Sequence, residues 1–388
     1  NAHEENWWAP TFGKAWTYAS LKASYSLTAD RGPASNSLAV FQSFTPWRPS
    51  TSANESAIIL AALENSELTY EKKHELNVGV ALGFVDNRIN VEFDWYRRNN
   101  FDLIGYTQTM GVGGVTTKLA NDATMESTGC EFTISTTNIK TKDFKWTTDW
   151  IFGWAENTIT KLDSRSQVYS LVNGVGRTEG RPIGALYSIP FAGLTEEGLP
   201  TFFIDAEHTQ VVGPGNYAAI YFQEYENIDY LKYEGTIDPK ITGSFGNTFS
   251  WKGLKLNVFF TYSFGNVLRL DNLCPVYSSD YSDLTASMKE MKNRWMVPGD
   301  ENVTTIPSIP TVRQMREIDA LNNAYSAYNY STERVAKGDF IRLKELSLAY
   351  DLPKKYLEGQ KAVSSFGVKL SATNLWLAYA DKKLNGRD

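Results

Sequence analysis

The sequence has little of what most enzymes, metalloproteins and nucleic-acid-binding proteins use. Only two cysteines and three histidines occur among 388 residues, too few for a disulfide framework or for most histidine-based metal or triad chemistry. The net charge of −6 provides no basic surface for nucleic acid. No window approaches 18 consecutive apolar residues, which excludes a transmembrane helix. The first letters, NAHEENWW, lack the regions of a signal peptide, so we expect a mature chain or one whose beginning is missing.

What the sequence does have is a strong two-residue period. In 143–157, bulky apolar side chains occupy alternating positions, namely Phe144, Trp146, Trp150, Phe152 and Trp154. A period of two indicates strands whose side chains alternate between two faces. The same pattern recurs at 74–84, 89–95 and 254–264, and more weakly at 16–29, 127–138, 238–251, 338–351 and 363–375. We therefore predict about nine strands, many of them longer than the ~5–6 residues usual in globular proteins.

The predicted strands are joined by connections of two kinds. Brief turns lie at 85–88, 140–143 and 251–253, with a somewhat longer one at 352–362. Long excursions lie near 30–69, 104–126, 160–237 and 270–337. Short turns on one side and long loops on the other are typical of an outer-membrane barrel. Within the last excursion, apolar residues at helical spacing predict a short helix over 282–295, lying over the loop end.

An aromatic strand face can pack against a protein core or against lipid, and alternation alone fits both. Three features favour lipid: charges on the polar face, rings gathered towards the ends of the apolar stripes as in interfacial girdles, and the strand and loop lengths. We therefore predict an all-β fold, an antiparallel transmembrane β-barrel with long extracellular loops. Two alternatives stay open: a soluble or surface glycan-binding β-protein without transport activity, and a surface enzyme with two carboxylates about 5–9 Å apart.

Several strings of the sequence together resemble one family. The longest are HELNVGVALGFVDNRINVEFDWYRRNNFDLI (74–104), GTIDPKITGSFGNTFSWKGLKLNVFFTYSFGN (235–266) and GDFIRLKELSLAYDLPKKYL (338–357). Shorter ones lie at 21–30, 126–134, 187–202, 293–310 and 371–388. In this order and spacing they resemble the C-terminal barrel portion of SusC/RagA-type TonB-dependent outer-membrane transporters.

The resemblance implies a 22-stranded barrel with an N-terminal plug in the outer membrane of a Gram-negative bacterium. Such a transporter imports oligosaccharides or peptides, acts with a SusD-like surface lipoprotein as a lid, and is driven by the TonB complex. We expect residues 1–388 to be the C-terminal part of the barrel domain, about nine of its strands. The plug domain, the TonB box, the first strands and the last strand are expected outside it. The partners are then the lipoprotein, TonB, the remainder of the barrel and plug, and lipid, with no nucleic acid.

Motifs for catalysis, cofactors or metals are not found, so we expect no enzyme activity, no cofactor and no metal. In a transporter, loop aromatics can stack on sugar rings or pack on peptide side chains. The candidates for substrate binding are Tyr217, Tyr221, Tyr277, Tyr281 and Trp295; the alternative is loop packing or lid contact. The candidates for plug contact from the lumen are Glu92, Asp94, Lys145 and Asp149; the alternative is solvation.

Overall fold

The computed structural model describes residues 16–32, 38–45, 56–111, 114–273, 289–353, 355 and 365–384. Nine long strands form one antiparallel sheet in which each strand pairs with the next along the chain. They are β1 Trp16–Asp30, β2 Glu71–Phe84, β3 Ile89–Gln108, β4 Thr117–Lys140, β5 Phe144–Leu162, β6 Ile241–Trp251, β7 Leu254–Phe264, β8 Phe340–Asp351 and β9 Gly367–Ala380. Each of the nine predicted strands is confirmed, and β7 has the predicted bounds.

The connections alternate between short and long, as the sequence indicates. The short side has turns at 85–88, 141–143 and 252–253 and the connection 352–366. The long side has 31–70, 163–240 and 265–339. The predicted excursion near 104–126 is wrong for most of its length, because β3 and β4 continue as a paired ribbon and only 109–116 connects them. The β3 strand of that ribbon begins with four polar residues, 97–100, where the alternation of apolar residues stops, so the sequence did not indicate it.

One face of the sheet is apolar across all nine strands. A single row of paired residues, one from each strand, contains Leu21, Val80, Phe93, Phe132, Phe152, Gly243, Tyr262, Ile341 and Tyr379. Leu21 is 73% exposed and Phe93 is 40% exposed, so these side chains are not packed into a protein core. A continuous apolar surface of this extent is a contact surface for an apolar medium.

The opposite face of the sheet is polar and small. On β1 to β7, the row one residue further along contains Lys22, Gly79, Asp94, Glu131, Gly153, Thr242 and Ser263. On β8 and β9 the same row ends in Phe340 and Ala380. Because successive side chains of a strand point to opposite faces, the two rows cannot share a medium. The sheet therefore separates an apolar environment from an aqueous one.

Tryptophans mark the two limits of the apolar face on β5. Trp146 lies near the short-turn end, where its ring stacks on Phe249 with centroids 5.6 Å apart and its Nε1–H donates to Asn247 Oδ1 at 2.9 Å. Trp154 lies further along the same face. The stretch between them has the length, about 9–11 residues, with which a tilted strand spans a bilayer. Aromatic rings that carry a polar group and lie at both ends of the apolar face are typical of the interfacial girdles of outer-membrane barrels.

A three-strand hydrogen-bond network satisfies the polar groups in the middle of the apolar face. Trp150 on β5 donates its Nε1–H to the Tyr262 hydroxyl at 2.9 Å. That hydroxyl donates to the backbone carbonyl of Ile151, also at 2.9 Å. Tyr262 lies on β7 and reaches β5 across β6 at Gly243, where a Cβ would collide with its ring. Lipid offers no hydrogen bonds, so the network closes on itself.

Gly243→Ala is expected to destabilise the sheet. The new methyl group collides with the Tyr262 ring and with the Ile151 carbonyl that accepts from its hydroxyl. Tyr262 is therefore displaced, and the Trp150 N–H loses its acceptor where no water replaces it. An unsatisfied buried donor costs about 1–3 kcal/mol, which we expect as a lower midpoint of thermal unfolding followed by gel mobility. Gly153→Ala is the matched control, because the nearest heavy atom to its Cβ is 3.6 Å away. Equal midpoints for the two variants would contradict the network's role.

The described parts of the two longest connections pack into one unit, which we call the cap: residues 163–240, 265–273 and 289–339. It contains helices α1 Val168–Val172, α2 Val312–Glu317 and α3 Leu321–Asn329. Its 3₁₀ turns are Tyr217–Ala219, Lys289–Asn293, Asp300–Asn302 and Thr332–Arg334. Its short strands are Ala185–Ser188, Phe191–Leu194, Pro200–Phe203, Val211–Val212, Lys232–Thr236, Val267–Arg269 and Val335–Lys337. The cap thus has its own secondary structure at the long-loop side of the sheet.

The main hydrophobic core of the described chain lies in the cap and not in the sheet. Its fully buried members include Leu171, Phe202, Tyr217, Tyr325 and Tyr328. Outside the cap, Val40–Phe44 and Ala57–Ala62 form a hairpin in the first long connection, and Lys382–Leu384 forms a 3₁₀ turn after β9. Of the helices in the described ranges, none has the length and hydropathy to cross a membrane.

The helix predicted over 282–295 is described only in part. Residues 289–293 form a 3₁₀ turn, and 282–288 lie outside the described residues. The α-helices of this connection, α2 and α3, lie further along the chain. α2 begins with a capping box, in which Thr311 accepts from the Gln314 N–H while the Gln314 side chain accepts from the Thr311 N–H. The sequence TVRQ at 311–314 matches the capping-box pattern, which marks the start of a helix.

Candidate functional site

The four charged candidates for plug contact all lie on the polar face of the sheet. On β3, Glu92 and Asp94 flank Phe93 of the apolar row, and on β5, Lys145 and Asp149 lie on the side away from Trp146 and Trp150. This is the side that the sequence predicts for them. Their contact with a plug stays a prediction.

Two of these charges have defined neighbours. Asp149 Oδ1 accepts a hydrogen bond of 2.7 Å from the Ser135 hydroxyl on β4. Asp94 is paired with Glu131 on one side and with Gly79 on the other, and a Cβ at Gly79 would collide with the Asp94 carboxylate. Because Gly79 has no side chain, the Asp94 carboxylate can lie against β2 at this position.

The aromatic loop candidates fall in different environments. Tyr217 is 1% exposed and donates its hydroxyl to the Pro200 carbonyl at 2.8 Å, and burial raises its pKa. Its ring therefore packs in the cap core and has no surface for a ligand in this structure. Tyr221 is 55% exposed. Trp295 is half-buried against Gly198 and donates to Glu301 Oε2 at 3.0 Å, while Tyr277 and Tyr281 lie outside the described residues.

A pocket of about 700 Å³ opens in the cap beside Tyr221. Its lining consists of Gln167, Tyr169, Phe222, Gln223, Asn272, Asn322, Asn323, Ser326 and Tyr330. The three aromatic residues of this lining form a triangle of edge-to-face ring contacts. The centroids of Tyr169 and Phe222 are 6.5 Å apart, those of Tyr169 and Tyr330 are 6.2 Å apart, and those of Phe222 and Tyr330 are 5.9 Å apart. The volume is within the range of small-molecule sites, about 300–1,000 Å³.

Backbone hydrogen bonds hold the first two rings together. The first N–H groups of a helix have no partner within the helix. In α1, the N–H of Val168 donates to the Glu224 carbonyl at 3.0 Å, and the N–H of Tyr169 donates to the Phe222 carbonyl at 2.9 Å. The segment 222–224 thus caps α1 and brings Phe222 beside Tyr169.

The other lining segments are joined through α3. Asn323 donates its amide to the Ile220 carbonyl at 3.4 Å, which ties α3 to the segment before Phe222. Asn329 Oδ1 accepts from the Leu273 N–H at 3.0 Å, which places Asn272 at the rim of the pocket. At the end of α3, the Tyr330 carbonyl accepts from the Ile189 N–H at 3.0 Å.

A partly buried arginine connects the two halves of the cap behind this pocket. The Arg269 guanidinium donates to the Ser188 hydroxyl at 3.1 Å and to the carbonyls of Ser331 at 3.0 Å, of Val172 at 3.1 Å and of Tyr187. Burial lowers the pKa of Arg269 to about 10, so it stays charged at neutral pH. Its central carbon lies 5.9 Å from the ring of Tyr330.

The sequence singled out none of the three rings in the pocket. Tyr169, Phe222 and Tyr330 are far apart in the chain, and none belongs to a periodic segment. The nearest signal was Tyr221, the neighbour of Phe222. Among the described residues, no group of three or more His, Cys, Asp or Glu side chains could hold a metal ion, and the pocket lining offers no nucleophile–base pair.

The chain is similar to curated receptors. It is 26% identical over 348 residues to the TonB-dependent receptor P3 of Formosa agariphila, covering 84% of this chain and 31% of that protein. It is 24% identical over 395 residues to the receptor P39 of the same organism, covering 92% and 36%. The TonB-dependent receptor SusC of Bacteroides thetaiotaomicron is 34% identical over 99 residues, covering 25% and 10%. The chain therefore spans about a third of the length of the first two relatives.

Solved structures show the same fold. The RagAB peptide transporter matches with a TM-score of 0.71 at 21% identity, over 95% of this chain and 38% of that one. The RagAB peptide importer in its closed-closed state matches with a TM-score of 0.69 at 22% identity, over 96% and 39%. No family model matches the chain. The resemblance seen in the sequence is nevertheless confirmed by these relatives: the chain is similar to SusC/RagA-type TonB-dependent receptors, its sheet is part of an outer-membrane β-barrel, and it lies in the outer membrane of a Gram-negative bacterium.

Proposed function

We propose that this chain forms wall and extracellular loops of a TonB-dependent importer that takes up oligosaccharides or peptides. The two-sided sheet is the observation that carries the proposal, because it gives lipid an apolar surface and a lumen a polar one. The curated relatives are TonB-dependent receptors rather than enzymes, which supports a role in uptake.

The remaining parts of the proposed machine follow from the resemblance. Further strands complete the barrel, since lipid tolerates no open sheet edge, and a plug fills the lumen next to Glu92, Asp94, Lys145 and Asp149. A SusD-like lipoprotein closes over the cap and traps the ligand. TonB then pulls on the plug and opens a passage along the polar face. Residues 1–388 belong to the C-terminal part of the barrel domain in this proposal.

Uptake by living cells tests the proposal. Cells of the source bacterium receive mixed oligosaccharide and peptide hydrolysates, and mass spectrometry follows the loss of each component from the medium. We expect the wild type to remove a specific set of components, and strains lacking either this gene or TonB to leave the same set behind. Uptake of that set in the strain without TonB would contradict energised import through this protein.

A surface glycan-binding protein without transport activity is the second candidate, and the independent core and pocket of the cap favour it. Both candidates keep the barrel in the outer membrane, so uptake distinguishes them. If the protein only binds glycans, the strain lacking this gene still removes the same components from the medium as the wild type does. That result, together with glycan binding by the purified protein, would favour the second candidate.

A further inference from the structure

The pocket in the cap has a lining without formal charge. The nine described residues that line it contribute three aromatic rings, five carboxamides and one hydroxymethyl group. Arg269 lies behind Tyr330, and its two terminal nitrogens donate to carbonyl and hydroxyl acceptors. A ligand that enters this pocket therefore meets no described cation or carboxylate in its lining.

Some of these groups are available to a ligand. Tyr169 is 46% exposed and stands at the open side of the ring triangle. Asn272 and Asn322 are exposed, and with the described residues their side chains make no hydrogen bonds. By contrast, Gln223 accepts from the Tyr221 hydroxyl at 3.0 Å, and Gln167 donates to the Tyr225 hydroxyl. One ring and two free amides thus converge on the pocket.

The chemistry of these groups selects among ligand classes. A carboxamide both donates and accepts hydrogen bonds, as a sugar hydroxyl does, and an aromatic ring offers a flat apolar surface. A carboxylated or sulfated sugar would lose hydration here and gain no cation from the described lining, which is costly. One mode of peptide binding adds an extended peptide to an exposed strand edge, and the described lining of this pocket, formed by α1, α3 and turns, offers no such edge.

We propose that this pocket binds a segment of an uncharged oligosaccharide. A sugar ring packs on Tyr169, and its hydroxyls bond to the amides of Asn272 and Asn322. The inference rests on the proposed import function and names its substrate class, but binding itself requires neither TonB nor transport.

Binding to the complete protein, purified in detergent, tests the inference. The probes are neutral, carboxylated and sulfated oligosaccharides on an array, together with a peptide library, and dissociation constants are then measured for the bound probes. We expect uncharged oligosaccharides to bind, with a dissociation constant raised about tenfold or more by Tyr169→Ala, which corresponds to about 1.4 kcal/mol, and raised less by Asn322→Ala. Tyr106→Ala is the matched control, because Tyr106 is a 73% exposed tyrosine on β3 and does not line this pocket; we expect this variant to bind as the wild type does.

Three results would overturn the inference: no uncharged oligosaccharide binds, charged sugars or peptides bind instead, or neutral binding survives both Tyr169→Ala and Asn322→Ala. Asn322 is an exposed side chain on α3, so its substitution leaves the core intact, and unchanged gel mobility and protease resistance confirm folding for both variants. If binding depends on Tyr169 while uptake does not depend on TonB, the import function fails and the pocket assignment stands.

Discussion

Phe245→Lys is expected to prevent efficient assembly of the protein in the outer membrane. Phe245 lies on β6 opposite Trp150 and Phe260, midway between the levels of Trp146 and Trp154, and is 42% exposed. A lysine on the lipid face at the bilayer midplane costs about 2–4 kcal/mol. We expect a large loss of the heat-modifiable folded form in isolated outer membranes, measured on gels.

Thr133→Lys is the matched control for this substitution. Thr133 lies on the polar face of β4 and is paired with Glu92 and Ile151. A lysine there meets a carboxylate and an aqueous lumen, so we expect nearly wild-type amounts of folded protein. The account would be contradicted if Thr133→Lys prevented assembly and Phe245→Lys did not.

Arg269→Met is expected to unfold the cap while leaving the sheet intact. The substitution leaves the carbonyls that Arg269 bonds without this donor, and it removes one of two positive charges near Glu234, which stays paired with Lys232 at 3.1 Å. Each buried acceptor left without its donor costs about 1–3 kcal/mol. We expect thermolysin to cut within 163–240 and 289–339 much faster than in the wild type, while the gel mobility shift on boiling is retained.

Arg313→Met is the control for the arginine in the cap. Arg313 lies on α2, pairs with Glu317 at 2.8 Å, and its side chain is 82% exposed. An exposed pair of this kind contributes about 0.3–0.5 kcal/mol, so the cap should resist thermolysin as the wild type does. Equal cleavage of the two variants would show that Arg269 does not hold the cap together.

The sheet could be predicted from the sequence because a bilayer imposes a simple pattern. Within the membrane every second side chain must be apolar, and β7 was therefore predicted with its observed bounds. Beyond the membrane that constraint ends. The continuation of β3 past Tyr96 runs through Arg97, Arg98 and Asn99, where backbone pairing persists without apolar alternation. The two-residue period of apolar side chains therefore could not predict that part of β3.

The pocket could not be predicted for a different reason. Its rings are brought together by backbone hydrogen bonds between segments that are distant in the sequence, such as those from α1 to 222–224. Such contacts produce no periodic pattern of residues from which they could be predicted. Single loop aromatics can lie in a core, as Tyr217 does, or at a surface, as Tyr221 does. Only the fold of the cap distinguishes these environments.

Spin labels on the two faces of the sheet give the most direct measurement of the central claim. With the native cysteines replaced by serine, one label is placed at residue 245 and another at residue 133, and their collisions with oxygen and with a water-soluble nickel chelate are compared in lipid bilayers. We predict that the label at 245 collides mainly with oxygen, which concentrates in lipid, and the label at 133 does not. A label at 245 that is shielded from oxygen, or that collides mainly with the nickel chelate, would contradict the assignment of the aromatic face to the membrane.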